Sequence, residues 1–112
     1  MGSDEFLGEA RALHPDAEMV NDHVVFTYDI PIGSRRGTKV RVGLPAPADW
    51  PLSCPPGPHM SPRIGHPAGN VHGSALGTDW EYWSRPFNGW AEGERTFRRY
   101  MSHIRALFDQ FS

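Results

Sequence analysis

The 112-residue chain has one cysteine, one lysine and a net charge of only −2. Nor does any apolar run approach the roughly 18 residues of a membrane span. Each shortage excludes something. A lone Cys54 cannot build an internal disulfide framework and leads us to expect a reducing cytoplasm. The near-balanced charge gives no electrostatic reason to expect nucleic acid or an anionic membrane as partner. The start of the chain lacks the basic-then-apolar order of a signal peptide, so neither a leader nor a membrane span is expected. The length accommodates one domain, 1–112, with a core covering about two-thirds of the surface the unfolded chain exposes.

Glycine and proline are plentiful instead, 12 and 11 residues, which argues against a helical bundle and for strands, turns and a long irregular connection. Ser3-Asp4-Glu5 can cap a short helix whose Phe6, Leu7, Ala10 and Leu13 recur at three- to four-residue steps, and His14-Pro15 ends it. Two runs, Val24 to Ile32 and Thr38 to Leu44, have strand character. In the second, Val40, Val42 and Leu44 alternate with Lys39, Arg41 and Gly43. Residues 33–37 between them form a hairpin loop, so the runs predict an antiparallel meander.

From Pro45 to Gly77 eight prolines forbid a regular helix or a central strand. Trp50, Leu52, Met60 and Ile64 would anchor this stretch to a core, and it holds His59, His66, His72 and Cys54. Long loops inside small domains are commonly functional, which makes this the expected working face. Beyond it, Trp80, Trp83 and Trp90 should pack the stretch and the start of a final helix against the sheet. Arg85 has the chemistry to clamp a carboxylate or to stack on a tryptophan. Phe97, Tyr100, Met101, Ile104, Leu107, Phe108 and Phe111 lie on one stripe of an amphipathic helix from about Glu94 to Gln110, a core face rather than a cofactor box.

This order resembles the E2 ubiquitin-conjugating superfamily, and more closely its prokaryotic branch found beside E1-like and ubiquitin-like genes. The residues that carry the likeness are Tyr28 to Leu44 as meander, Pro55-Pro56 in the flap, and His66-Pro67 where E2 enzymes have His-Pro-Asn. To these are added residues 70–76 at the active-site segment, and the tryptophan-rich run Trp80 to Pro86, with its Trp-Ser-Arg and with Trp90 beyond it, before the final helix. The resemblance implies an α+β, UBC-like fold: N-terminal helix, antiparallel β-meander, proline-rich flap with active-site loop, C-terminal helix. It also implies acyl transfer of a ubiquitin-like modifier received from an E1-like activating enzyme, with no cofactor.

The departures shape the expected chemistry. The active-site segment has no cysteine, Cys54 lies upstream in the flap, and Ala68 stands where the asparagine belongs. Ser74 is then the candidate nucleophile. A serine hydroxyl needs a base, and His72, two residues away, points the same way on an extended chain. Gly73 leaves room for an incoming chain terminus. The intermediate would be an oxyester, with Asn70 or backbone N–H groups stabilising its oxyanion. His66 is either a further catalytic residue or a structural hydrogen-bonding one, and Ser74 either reacts or bonds the turn. Cys54 is either a small apolar residue or the acceptor thiol.

Two other readings remain open on sequence. One is a non-catalytic E2-like scaffold that binds an E1 or a ubiquitin-like protein. The other is a zinc module using Cys54, His59, His66 and His72, although C-x4-H-x6-H-x5-H lacks close ligand pairs. Lys39, the sole lysine, or the N-terminus is the expected focus of any self-modification.

Overall fold

The computed structural model describes residues 2–111. Helix α1 (Ser3–Leu13) buries Phe6 and Ala10, and His14 ends it with an extended backbone ahead of Pro15. A strand pair follows, β1 (Glu18–Val20) and β2 (His23–Asp29). Asn21 and Asp22 join them with φ of 47° and 61°, the left-handed pair that a two-residue hairpin requires and these two residue types tolerate. β3 is Lys39–Pro45 and pairs with β2 along its whole length, Phe26 opposite Val42. The meander expected from the sequence is present, with each strand displaced by one to three residues from its apolar run.

The proline-rich stretch is more regular than its composition suggests. It contains β4 (His59–Ser61), β5 (Val71–Ser74) and the start of β6 (Gly77–Trp83). β4 is a short span that avoids the prolines, and it adds to β3 with His59 opposite Gly43. β6 pairs with β4, and β5 folds back onto β6 as the far edge. The six strands are antiparallel in the order β1-β2-β3-β4-β6-β5. The tryptophan segment is therefore a strand rather than a loose connection.

A short 3-10 turn (Trp90–Glu92) leads to helix α2 (Phe97–Asp109), whose N-cap Thr96 accepts a hydrogen bond from the Arg99 amide at 3.2 Å. Its stripe of Phe97, Tyr100, Met101, Ile104, Leu107 and Phe108 is buried, as the spacing demands. Both helices lie on one face of the sheet. Val24, Phe26, Val40, Val42, Leu44, Met60 and Trp83 point toward them and form one core with Trp50 and Trp90. Strand pleating sends His23, Val25, Gly43, His59 and Tyr82 to the opposite face.

Candidate functional site

That opposite face carries an ordered row. Glu18, Val25, Gly43, His59, Tyr82 and His72 are successive partners across β1, β2, β3, β4, β6 and β5. Most faces without helices are wet, yet Val25 and His59 are buried here, and His23 is only 9% exposed. The cover is the tip of the β5–β6 hairpin. Ser74 pairs with Gly77, leaving Ala75 and Leu76 as the turn. Leu76 then lies over β3, so that a Cβ on Gly43 would meet its Cδ1 at 2.5 Å. The missing side chain at position 43 is what lets the hairpin settle.

Settling brings Ser74 onto His59. The hydroxyl and Nδ1 of His59 are 2.6 Å apart, and the Leu76 amide donates to the same hydroxyl at 3.0 Å. Nε2 of His59 lies 3.3 Å from Nε2 of His23, and Nδ1 of His23 lies 2.5 Å from the Asn21 carbonyl oxygen. The carbonyl fixes the protons. It can only accept, so Nδ1 of His23 carries a hydrogen. A neutral His23 then has its lone pair on Nε2 and accepts from Nε2–H of His59. Nδ1 of His59 is left bare and accepts the Ser74 hydroxyl proton. Burial is the main cause that pushes the His59 pKa down to about 4, so this imidazole is neutral near pH 7. The Tyr82 ring, 4.8 Å away, closes one side of it.

A hydroxyl donating to a bare imidazole nitrogen, the imidazole oriented by a third group, is the arrangement of an activated nucleophile. Ser74 was expected in that role with His72 as its base, and the base is a correction: His59 holds the hydroxyl. The register slips between Gly73 and Ser74, breaking the alternation that would align positions 72 and 74. His72 is exposed, its ring 6.2 Å from that of Tyr82. Asn70 precedes β5 with φ of 55° and hands its carbonyl to the Ser84 amide. Four residues of extended chain, about 13 Å, separate it from Ser74, too far for its amide to reach an oxyanion there.

His66 belongs to the helix side. Nε2–H donates to the Leu107 carbonyl at 2.9 Å, and Nδ1 accepts from the Ala68 amide at 3.1 Å and from Arg85 at 3.0 Å. Both nitrogens are spent, and burial lowers its pKa, so it ties the loop to α2 rather than acting at Ser74. Among the described residues Arg85 neither clamps a carboxylate nor stacks on a tryptophan. Its donors go to His66 and to the carbonyls of Ser84 and Gly69. Cys54 also lies on the helix side, half-buried at a groove of about 400 Å³ with Phe87 and Trp90, and burial pushes its thiol pKa up. A raised pKa is the opposite of thiolate activation.

The four proposed zinc ligands are dispersed: His59 at Ser74, His66 at Leu107, Cys54 beside α2, His72 exposed on the edge. Among the described residues no three His, Cys, Asp or Glu side chains gather to hold a metal ion. His23 was not anticipated from the sequence at all. Its signal is the polar start of an otherwise apolar strand run, which period two sends to the outer face. Comparison with protein-family models, with curated proteins and with solved structures returns no match.

Proposed function

We propose that the chain is an E2-like acyl carrier of the UBC type, receiving the C-terminal carboxyl group of a ubiquitin-like modifier as an oxyester on Ser74. The observation that carries this reading is the Ser74–His59–His23 chain ending on the Asn21 carbonyl. An N-terminal helix, an antiparallel meander, a proline-bearing connection and a closing helix are also the order such a carrier would have.

In the reaction the Ser74 oxygen attacks the carbonyl carbon of the modifier's thioester on an E1-like enzyme. A C–O bond forms, the C–S bond breaks, and the sulfur leaves as thiolate. The serine proton moves to Nδ1 of His59, while Nε2–H of His59 passes to Nε2 of His23. The positive charge then rests on His23, which already donates to the Asn21 carbonyl. Relay suits a histidine that resists holding the charge itself. The Leu76 N–H keeps the attacking oxygen in place.

One observation favours a second reading, a scaffold that docks an E1 or modifier without reacting: the same Leu76 contact makes Ser74 an anchor of its own turn. Incubation with the cognate E1-like enzyme, ATP and ubiquitin-like protein distinguishes the two. The carrier yields a base-labile, thiol-resistant adduct on Ser74, lost in Ser74→Ala, kept in Cys54→Ala, and slowed about 10²-fold or more in His59→Ala. An adduct that persists in Ser74→Ala and vanishes in Cys54→Ala overturns it. Stable binding with no adduct establishes the scaffold.

A further inference from the structure

On the helix side, away from Ser74, a groove of about 360 Å³ runs between the end of α1 and α2. Its floor is apolar and aromatic: Leu13, His14, Tyr28 and Met101, with the His14 ring stacked on Phe26 at 4.1 Å. Its rim is Arg98 and Arg105, seven residues and about 10 Å apart on the exposed edge of α2. A shallower groove of about 190 Å³ continues from it between the helices, sharing Leu13 and Arg98.

The rim arginines contrast with the other arginines of the helix side. Arg11 and Arg99 donate to backbone carbonyls, and Arg85 to carbonyls and a histidine. Among the described residues neither the Arg98 nor the Arg105 guanidinium makes a hydrogen bond or an ion pair; the Arg98 backbone carbonyl accepts from the Ser102 hydroxyl. No carboxylate lines the larger groove. Two nearby acids are committed elsewhere: Glu9 accepts from the Trp50 indole and the Phe97 amide, and Asp16 accepts from the Thr27 amide. A chain of net charge −2 thus presents, across an apolar trough, two cations that form no ion pair among the described residues.

We infer that this groove docks a short acidic segment of another protein, with one apolar side chain on Leu13, Tyr28 and Met101 and carboxylates on Arg98 and Arg105. Charge complementarity selects an acidic occupant, and the trough length suits two helical turns or three extended residues. Occupation leaves the Ser74 face free, so the inference stands independently of acyl transfer.

The test is an NMR titration of the ¹⁵N-labelled chain with an N-acetylated peptide of glutamates around one leucine, beside a lysine-for-glutamate control. Expected are shifts at the amides of Leu13, His14 and residues 98–105, weakening as ionic strength rises from about 0.01 M to about 0.15 M. Affinity should fall about tenfold in Arg98→Gln/Arg105→Gln, the size two exposed ion pairs support, and return in Arg98→Lys/Arg105→Lys. Equal binding of the lysine peptide overturns the inference, as do shifts confined to other surfaces or no shift at millimolar peptide. A concentration-dependent dimer that the glutamine variant dissolves also overturns it, assigning the groove to a second copy of the chain.

Discussion

A backbone carbonyl cannot donate a hydrogen bond, and with His23 neutral the proton positions along Asn21, His23, His59 and Ser74 follow in sequence. The proposed relay requires a neutral His59, and burial holds its pKa at about 4 against an ordinary 6.5. A fluorophosphonate probe aimed at serine should therefore label Ser74, with a rate that falls only as pH drops toward about 4 rather than through about 6.5. Labelling that fades near the ordinary imidazole value would show that another base acts. Folding carries the same signature. Between pH about 6.5 and about 4 the unfolded chain binds a proton at position 59 that the native state refuses, so stability rises with pH across that window. The contribution is complete above about 6.5 and lost by about 4, worth on the order of 3 kcal/mol. Urea unfolding of wild type and His59→Asn across this range should show the difference shrinking as pH falls. His14 and His66, also held down by burial, titrate in both proteins and cancel. Ser74 was singled out in the sequence because a hydroxyl stands where the E2 resemblance expects a thiol. Its partner was not, because His59 lies 15 residues away and His23 a further 36. Cross-strand register decides that meeting, and local spacing, which nominated His72, does not encode it.

The β5–β6 hairpin converts an open sheet face into a covered site, and Gly43 is where it rests. A methyl there clashes with the mobile end of Leu76, at 2.5 Å, and makes ordinary contact with Trp80 and His59 at 3.5 and 3.6 Å. Gly43→Ala should therefore cost about 1 kcal/mol or less in stability while displacing the hairpin and separating Ser74 from His59. Loss of probe labelling in a variant that melts near wild type would show it; unchanged labelling would mean the hairpin does not depend on that contact. The loop between β2 and β3 supplies a contrast. Gly33, with φ of 84°, sits so that a Cβ would strike the Phe108 carbonyl, whereas Gly37, with φ of 90°, faces open space. Gly37→Ala should cost about 1–2 kcal/mol in backbone strain alone. Gly33→Ala adds a clash with helix backbone that cannot rotate aside, and chemical denaturation should rank it clearly below Gly37→Ala. Both helices and the first hairpin were readable because apolar periodicity reports a buried face directly. β4 and β5 were not, being three and four residues long among prolines and polar residues. Their strand state comes from pairing with β3 and β6 rather than from any preference of their own.

The radius of gyration is 13.1 Å, the about 13 Å expected of a compact chain this long, so the proline-rich stretch is wrapped into the globule. Carboxylates do much of the wrapping. Glu81, 5% exposed, accepts from the Ile64 and Gly65 amides and the Trp83 indole, fixing the loop after β4 to the sheet. Glu9 joins three distant parts of the chain: from α1 it accepts the Trp50 indole N–H at 2.7 Å and the Phe97 amide at 3.0 Å. Those donors are otherwise sealed in, Trp50 at 0% and Phe97 at 1% exposed. Glu9→Ala leaves two buried N–H groups unsatisfied and should cost about 2–4 kcal/mol. Glu9→Gln keeps one acceptor oxygen, turns an N–H₂ toward the other donor, and should fall between. Because the carboxylate links α1, the proline-rich stretch and the first turn of α2, the loss should lower one cooperative transition. Helical circular dichroism and tryptophan fluorescence should then report the same urea midpoint in wild type and variants. Separate midpoints in Glu9→Ala, with α1 melting ahead of the sheet, would show that α1 is an appendage and not part of the cooperative core.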